Sequence, residues 1–289
     1  MSAAGAAFGD RLAAVFAERG RLCVGIDPHA HLLADWGLAA SAAGVREFGL
    51  RVVEAASSRA GIVKPQVAFF ERFGAAGYAA LEEVIAAARA AGLLVIADAK
   101  RGDIGTSVTA YAEAWLTPGS PLEADAMTVA AFQGVGSIAE PMRLAESAGK
   151  GLFVLAATSN PEAAAIQQAV VADGPRAGMT VARAIIEDVH SFNQDQPPHA
   201  FGTVGLVLGA TVRLADYGID TSVSRTPAVP VLAPGFGHQG AKVEDVPRLF
   251  GALASGVIVS ESRGLLGAGP DGIAAAIDAR AGEVRAAHA

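Results

Sequence analysis

Three ionisable side chains, Asp98, Lys100 and Asp103, fall within six residues of one another, directly after the apolar run Leu93-Leu-Val-Ile-Ala97. The run has no helical period and follows an Ala-rich amphipathic segment that ends at Gly92, so it reads as a strand buried on both faces. Alternate residues of a strand share a face, so Asp98 and Lys100 are expected to point the same way. The turn at Gly102 is expected to bring Asp103 back towards them. A lone ion pair at a strand end is solvated and contributes little. An acid, a base and a second acid capping a wholly apolar strand read instead as a site with tuned protonation states. Carboxylates on both sides favour the charged form of Lys100, which suits a proton donor or an electrostatic clamp better than a Schiff-base amine.

The elements that must position these groups follow from the same patterning. A helix is expected over Phe8–Arg19, stopping at Gly20, with further helices over 41–60 (Ser41 as cap), 78–91, 108–116, 138–148, 176–193 and from Asp271 onward. Short apolar runs predict strands at Leu22–Ile26, 62–63, 93–97, Ala126–Val129, Gly151–Ala157, 203–208, 229–233 and 257–259. Strand-then-helix units recurring about eight times, with no linker to divide them, predict a (β/α)8 TIM barrel with an extra N-terminal helix, one domain over 1–289. In that fold the C-terminal strand mouths form one shared face. Asp27, Lys64, Asp98, Lys100, Ser159, Gln239 and Arg263 all sit at such ends and are expected to converge.

The loops after strands seven and eight are the usual phosphate site of such a barrel. Here the first is Gly235-Phe-Gly-His-Gln-Gly240, whose backbone N–H groups can approach an anion closely, and the second supplies Arg263 beside Gly264. No metal is expected, because Lys64 puts a cation where a neighbouring metal would be unfavourable. His29 and His238 read as solvated loop histidines, and Trp36 and Trp115 as packing residues.

Of the 289 residues, 52% are hydrophobic and 18% charged, enough to bury a large core, and the net charge of -7 offers no footprint for nucleic acid. Nothing in the charge pattern suggests a membrane surface. The single cysteine, Cys23, lies in Leu-Cys-Val-Gly-Ile and reads as core, which fits a reducing cytoplasm. With no leader-like N-terminus and no apolar run of spanning length, a soluble cytoplasmic protein is expected.

The motif Asp98-x-Lys100-x-x-Asp103-Ile104, with Asp27-Pro28, Lys64-Pro65, Thr158-Ser-Asn-Pro161, Pro234-Gly-x-Gly-x-Gln-Gly240 and Arg263-Gly264, resembles orotidine 5'-phosphate decarboxylase in its longer bacterial branch. The match spans every strand mouth. The resemblance implies conversion of orotidine 5'-monophosphate to UMP and CO2 in pyrimidine biosynthesis, without metal or cofactor. It implies that Lys100 protonates C6 while Asp98 lies beside the substrate carboxylate. It also implies that Lys64 and Asp27 contact the ribose, Ser159 the pyrimidine edge, and Gln239 and Arg263, with Gly264, the phosphate. Asp103 and Ser107 would enter the site of a partner in a homodimer; the family often has Thr where this chain has Ser107. The long segment from Thr158 to Arg176 is the candidate lid. A metal-dependent sugar-phosphate enzyme on the same barrel, or a non-catalytic nucleotide sensor that kept the phosphate loops, would carry part of the same pattern.

Overall fold

The computed structural model describes residues 6–288; the ends of the expected 1–289 domain, and the start of the N-terminal layout read as leaderless, fall on residues 1–5 and 289, outside that description. Eight parallel strands form the barrel: β1 (Leu22–Ile26), β2 (Ile62–Pro65), β3 (Leu94–Arg101), β4 (Ala126–Val129), β5 (Gly151–Ala157), β6 (Val204–Leu208), β7 (Val231–Pro234) and β8 (Val257–Glu261). They pair in chain order, and β8 closes on β1. Among the described residues, no helix is long and apolar enough to cross a membrane.

Boundaries moved where local chemistry overrode the apolar pattern. Strand β3 runs past the apolar residues to Arg101, so Asp98 and Lys100 are strand residues, as the alternation argument required. The helix expected over 176–193 begins only at Val181, because Gly178 adopts φ +84° and the Thr180 hydroxyl then caps the Arg183 N–H at 3.1 Å. Ser41 caps helix Ala42–Ala56 as expected, accepting from the Gly44 N–H at 3.2 Å. Between β6 and β7 the helical layer thins to a 3-10 turn, Leu214–Tyr217.

Side-chain parity organises the barrel in depth. Alternate residues of each strand point inward. Near the strand starts these are Cys23, Ile62, Leu94, Ile96, Ala126, Phe153 and Ile258, gathered into one buried cluster. The opposite parity, including Val24, Val63, Val95 and Val259, packs beneath the surrounding helices, where Trp36 and Trp115 are buried too. Burial pushes the Cys23 thiol up to about 12, so it is an inert core group, as its sequence context predicted.

The N-terminal helix Phe8–Arg19 closes the barrel floor. Phe8 and Leu12 are fully buried in the inner cluster, and the Phe8 ring meets Phe153 edge-on at 6.0 Å. Gly151 makes room for it, since a Cβ there would lie 2.6 Å from the Phe8 ring. Phe8→Ala should therefore destabilise the fold by about 3–5 kcal/mol in chemical denaturation. The groups at the mouth stand at the other end of the strands, so ligand affinity of the folded variant should be unchanged.

Candidate active site

Following the inward parity along each strand leads from the apolar floor to a polar mouth. Ile62 gives way to Lys64, Ile96 to Asp98, Ala126 to Thr128 and Ile258 to Ser260, and all four later residues line one cavity of about 410 Å³. The strand-end groups therefore converge, as the barrel reading required.

Asp98 is the hub. Its Oδ2 accepts from Lys64 Nζ at 2.9 Å, and its Oδ1 accepts from Lys100 Nζ at 2.6 Å and from the Thr128 hydroxyl at 2.9 Å. Lys64 Nζ lies 3.9 Å from Asp27 Oδ1, which accepts no hydrogen bond within the described residues. The result is an alternating row, Asp27, Lys64, Asp98, Lys100. Burial alone would raise the Asp98 pKa, but the two ammonium groups outweigh it and hold the carboxyl well below the usual range. Burial likewise opposes the charge on Lys64, yet Asp98 and Asp27 prevail and raise its pKa. The side chains of Lys64 and Asp98 are only 9% and 11% exposed, whereas that of Lys100 is 45% exposed, so Lys100 presents its ammonium to a ligand. The Gln66 amide, turned with its NH2 towards Asp98, accepts from Lys100 Nζ at 3.2 Å.

Asp103 departs from the expected turn. Its Oδ1 accepts from the neighbouring Ile104 N–H at 2.9 Å, and it neither lines the cavity nor pairs with Lys64 or Lys100. Arg101 still pairs with Val129, and its carbonyl accepts the Ala130 N–H at 2.8 Å, so the chain runs on beside β4 as it reaches Gly102 instead of doubling back over the mouth. Ser107 is exposed in the first turn of helix Gly105–Leu116, also off the cavity.

On the far wall, the Ser159 hydroxyl donates to Gln239 Oε1 at 3.2 Å, tying the β5 and β7 loops together beside Arg263. Gly264 does not line the cavity, but a side chain at it or at Gly237 would push the Glu261 carboxylate aside. A Cβ at either would lie 2.2–2.3 Å from Glu261 Oε1. Glu261 is buried between the two glycine loops; Arg280 Nε approaches its Oε2 to 3.0 Å without hydrogen-bond geometry, and burial raises its pKa. Exposed His238 behaves as expected, whereas His29 is half-buried against Phe69 with ring centroids 4.4 Å apart. Burial lowers the His29 pKa, so this histidine is not the solvated residue its loop position implied. Sequence reading passed over Thr128, Gln66 and Glu261. A polar residue of inward parity in a buried strand was the available signal for Thr128 and, just past the strand end, for Gln66; Glu261 has the other parity and gave none.

A family model described as orotidine 5'-phosphate decarboxylase / HUMPS family matches residues 20–277. The orotidine 5'-phosphate decarboxylase of a Nocardioides species is 51% identical over 259 residues, 90% of this chain and 91% of that protein. A solved structure from Streptomyces avermitilis, described under the same enzyme name, superposes with TM-score 0.89 at 47% identity, covering 98% of this chain and 96% of that one. A Leishmania donovani OMP decarboxylase structure gives TM-score 0.76 at 34% identity over 97% of this chain and 98% of that one.

The depressed folded pKa of Asp98 fixes the sign of its contribution to stability: present in full above the ordinary carboxylate value of 3.8 and lost as pH falls towards the folded pKa. Asp98→Asn should cost about 3–5 kcal/mol near neutral pH, because it leaves buried Lys64 without its closest carboxylate. In denaturant melts across pH, the gap between wild type and variant should narrow below that value.

Proposed function

This chain belongs to the orotidine 5'-phosphate decarboxylase family, and from that premise we propose that its barrel mouth converts orotidine 5'-monophosphate to UMP and CO2 without metal or cofactor. The observation that carries the reading is the row Asp27, Lys64, Asp98, Lys100, with its only freely presented ammonium at the end that opens on the cavity. In the reaction the C6–carboxylate bond breaks, CO2 departs, the electron pair stays on C6, and Lys100 Nζ delivers the proton. Solvent then reprotonates the amine. The C6 pair gains little resonance delocalisation, so a fixed ammonium stabilises the transition state more than the ground state.

Two unit charges 4 Å apart interact by about 4 kcal/mol at an effective dielectric near 20. Enzymes reach barrier reductions of about 23 kcal/mol or more. One lysine therefore supplies a fraction, and binding energy from the rest of the nucleotide must supply the remainder. Gln239 and Arg263, with the Gly264 turn, are assigned to the phosphate, Lys64 and the open Oδ1 of Asp27 to the ribose hydroxyls, and Ser159 to the pyrimidine edge. The stretch from Thr158 to Arg176 is assigned as the closing segment; it carries two short helical pieces, Pro161–Ala163 and Ala164–Gln167, and Gln167 Oε1 accepts the Thr158 N–H at 2.9 Å. Lys64 occupies the space between Asp27 and Asp98, so the carboxylates a divalent cation would need already have a counter-ion. The one buried cysteine fits a reducing cytoplasmic setting.

Asp103 and Ser107 are assigned to the site of a second copy in a homodimer. Support comes from Asp103 turning away from its own cavity and from the exposed apolar side chains Ile104, Tyr111 and Phe132 on the same adjacent βα units.

The deciding assay follows loss of the orotate chromophore in EDTA. Wild type should convert the substrate fully, and Lys100→Ala should lose about 1000-fold or more, the equivalent of about 4 kcal/mol at 1.36 kcal/mol per decade. Activity that vanishes in EDTA and returns with Mg2+ overturns the metal-free reading; a Lys100→Ala protein that turns over normally overturns the role of Lys100. For the shared site, mixing Lys100→Ala with Asp103→Ala chains should regenerate some fully equipped sites, and subunit exchange without recovered activity contradicts it.

A further inference from the structure

Lys100 has φ +47°, and among the described residues it is the sole non-glycine with positive φ. A lysine does not adopt this region without something to hold it there. The adjacent ladder explains how the strain arises. Ala97 pairs with Met127 and Arg101 with Val129, so Asp98, Ala99 and Lys100 on β3 stand opposite Thr128 alone on β4. This is a bulge of the kind that re-aims side chains beside active sites. Asp98 and Lys100 both still line the cavity, but the bulge removes the regular ladder partner of the Lys100 N–H.

Thr128 replaces that partner with its side chain. Its Oγ1 accepts the Lys100 N–H at 2.9 Å and donates to Asp98 Oδ1 at 2.9 Å. A hydroxyl has a single proton to donate, so the donor is committed to Asp98 while a lone pair serves the lysine backbone. The side chain is 1% exposed, and a β-branched residue has few rotamers to choose from, so the hydroxyl stays where it is. We propose that Thr128 is a positioning residue for the reaction, its hydroxyl locking the bulged Lys100 backbone and the Asp98 carboxylate into one unit that aims Nζ at the reacting carbon. It acts through Lys100 and Asp98 and need not touch the nucleotide. The inference rests on the decarboxylase reading above.

Thr128→Val keeps the shape and removes the hydroxyl, whereas Thr128→Ser keeps the hydroxyl. The expected result is that Thr128→Val lowers kcat by about 100-fold, the scale of a misplaced catalytic group. Affinity for UMP, measured by calorimetry, should be unchanged, and Thr128→Ser should restore turnover. If Thr128→Val does not fold, Thr128→Ala is read by the same split between kcat and UMP affinity. Wild-type kcat in the hydroxyl-free variant overturns the proposal. So does parallel loss of kcat and UMP affinity, or a serine variant as slow as valine. A wild-type chain inert towards orotidine 5'-monophosphate overturns the decarboxylase reading and this inference with it, whereas active wild type beside equally active Thr128→Val overturns the inference alone.

Discussion

A carboxylate shared by two ammonium groups is the constraint on which this mouth depends. Asp98 is taken almost wholly out of water, which on its own would cost several kcal/mol. It remains charged because Lys64 and Lys100 each place a cation against one of its oxygens. Lys64 in turn is held by Asp98 and Asp27, so each inner member of the row has an opposite charge on both sides. Such an arrangement is a poor way to stabilise a fold and a good way to fix an ammonium where it is needed. The cost of desolvation is met in folding, so no dipoles need reorganise when charge develops on a substrate.

The barrel delivers this row through side-chain parity. The inward positions of β2 and β3 run from Ile62 to Lys64 and from Leu94 through Ile96 to Asp98, apolar at the floor and charged at the rim. Phe8 and Phe153 fill the floor, so the polar groups are gathered at one end of a packed interior. Opposite the charged row stand the glycine turns around Gly237 and Gly264, pressed close enough to Glu261 that a methyl group at either would displace its carboxylate. The charged row and these loops share one cavity, so under the proposed function binding of an anionic group at one side would be used at a reacting carbon on the other.

Much of this was legible in the chain. The strands announce themselves as short apolar runs, and once eight of them imply a barrel, the polar residues at their C-terminal ends become candidates for the common mouth. Asp27, Lys64, Asp98, Lys100, Ser159, Gln239 and Arg263 were placed by that logic, and all line the cavity. Less legible was whatever depends on how two strands align. That β3 bulges against β4, that Thr128 answers the bulge, and that the strand overshoots far enough to turn Asp103 outward are consequences of register, which no single run of residues encodes. Glu261 was invisible for a related reason: besides Gly264 just beyond it, its surroundings are a loop and a helix from other parts of the chain, at Gly237 and Arg280. The late start of helix Val181–Gln194 turned on a single glycine conformation that apolar periodicity does not report.

Asp98 stays ionised because it is clamped between two ammonium groups. An acid titration of the folded protein, following the Asp98 side-chain carboxyl by 13C NMR, tests it most directly. This resonance should not move as pH passes through the ordinary value of 3.8, and its titration should rise towards the normal range in Lys64→Ala protein. An Asp98 that takes up its proton at or above that ordinary value in the wild-type chain would contradict the account.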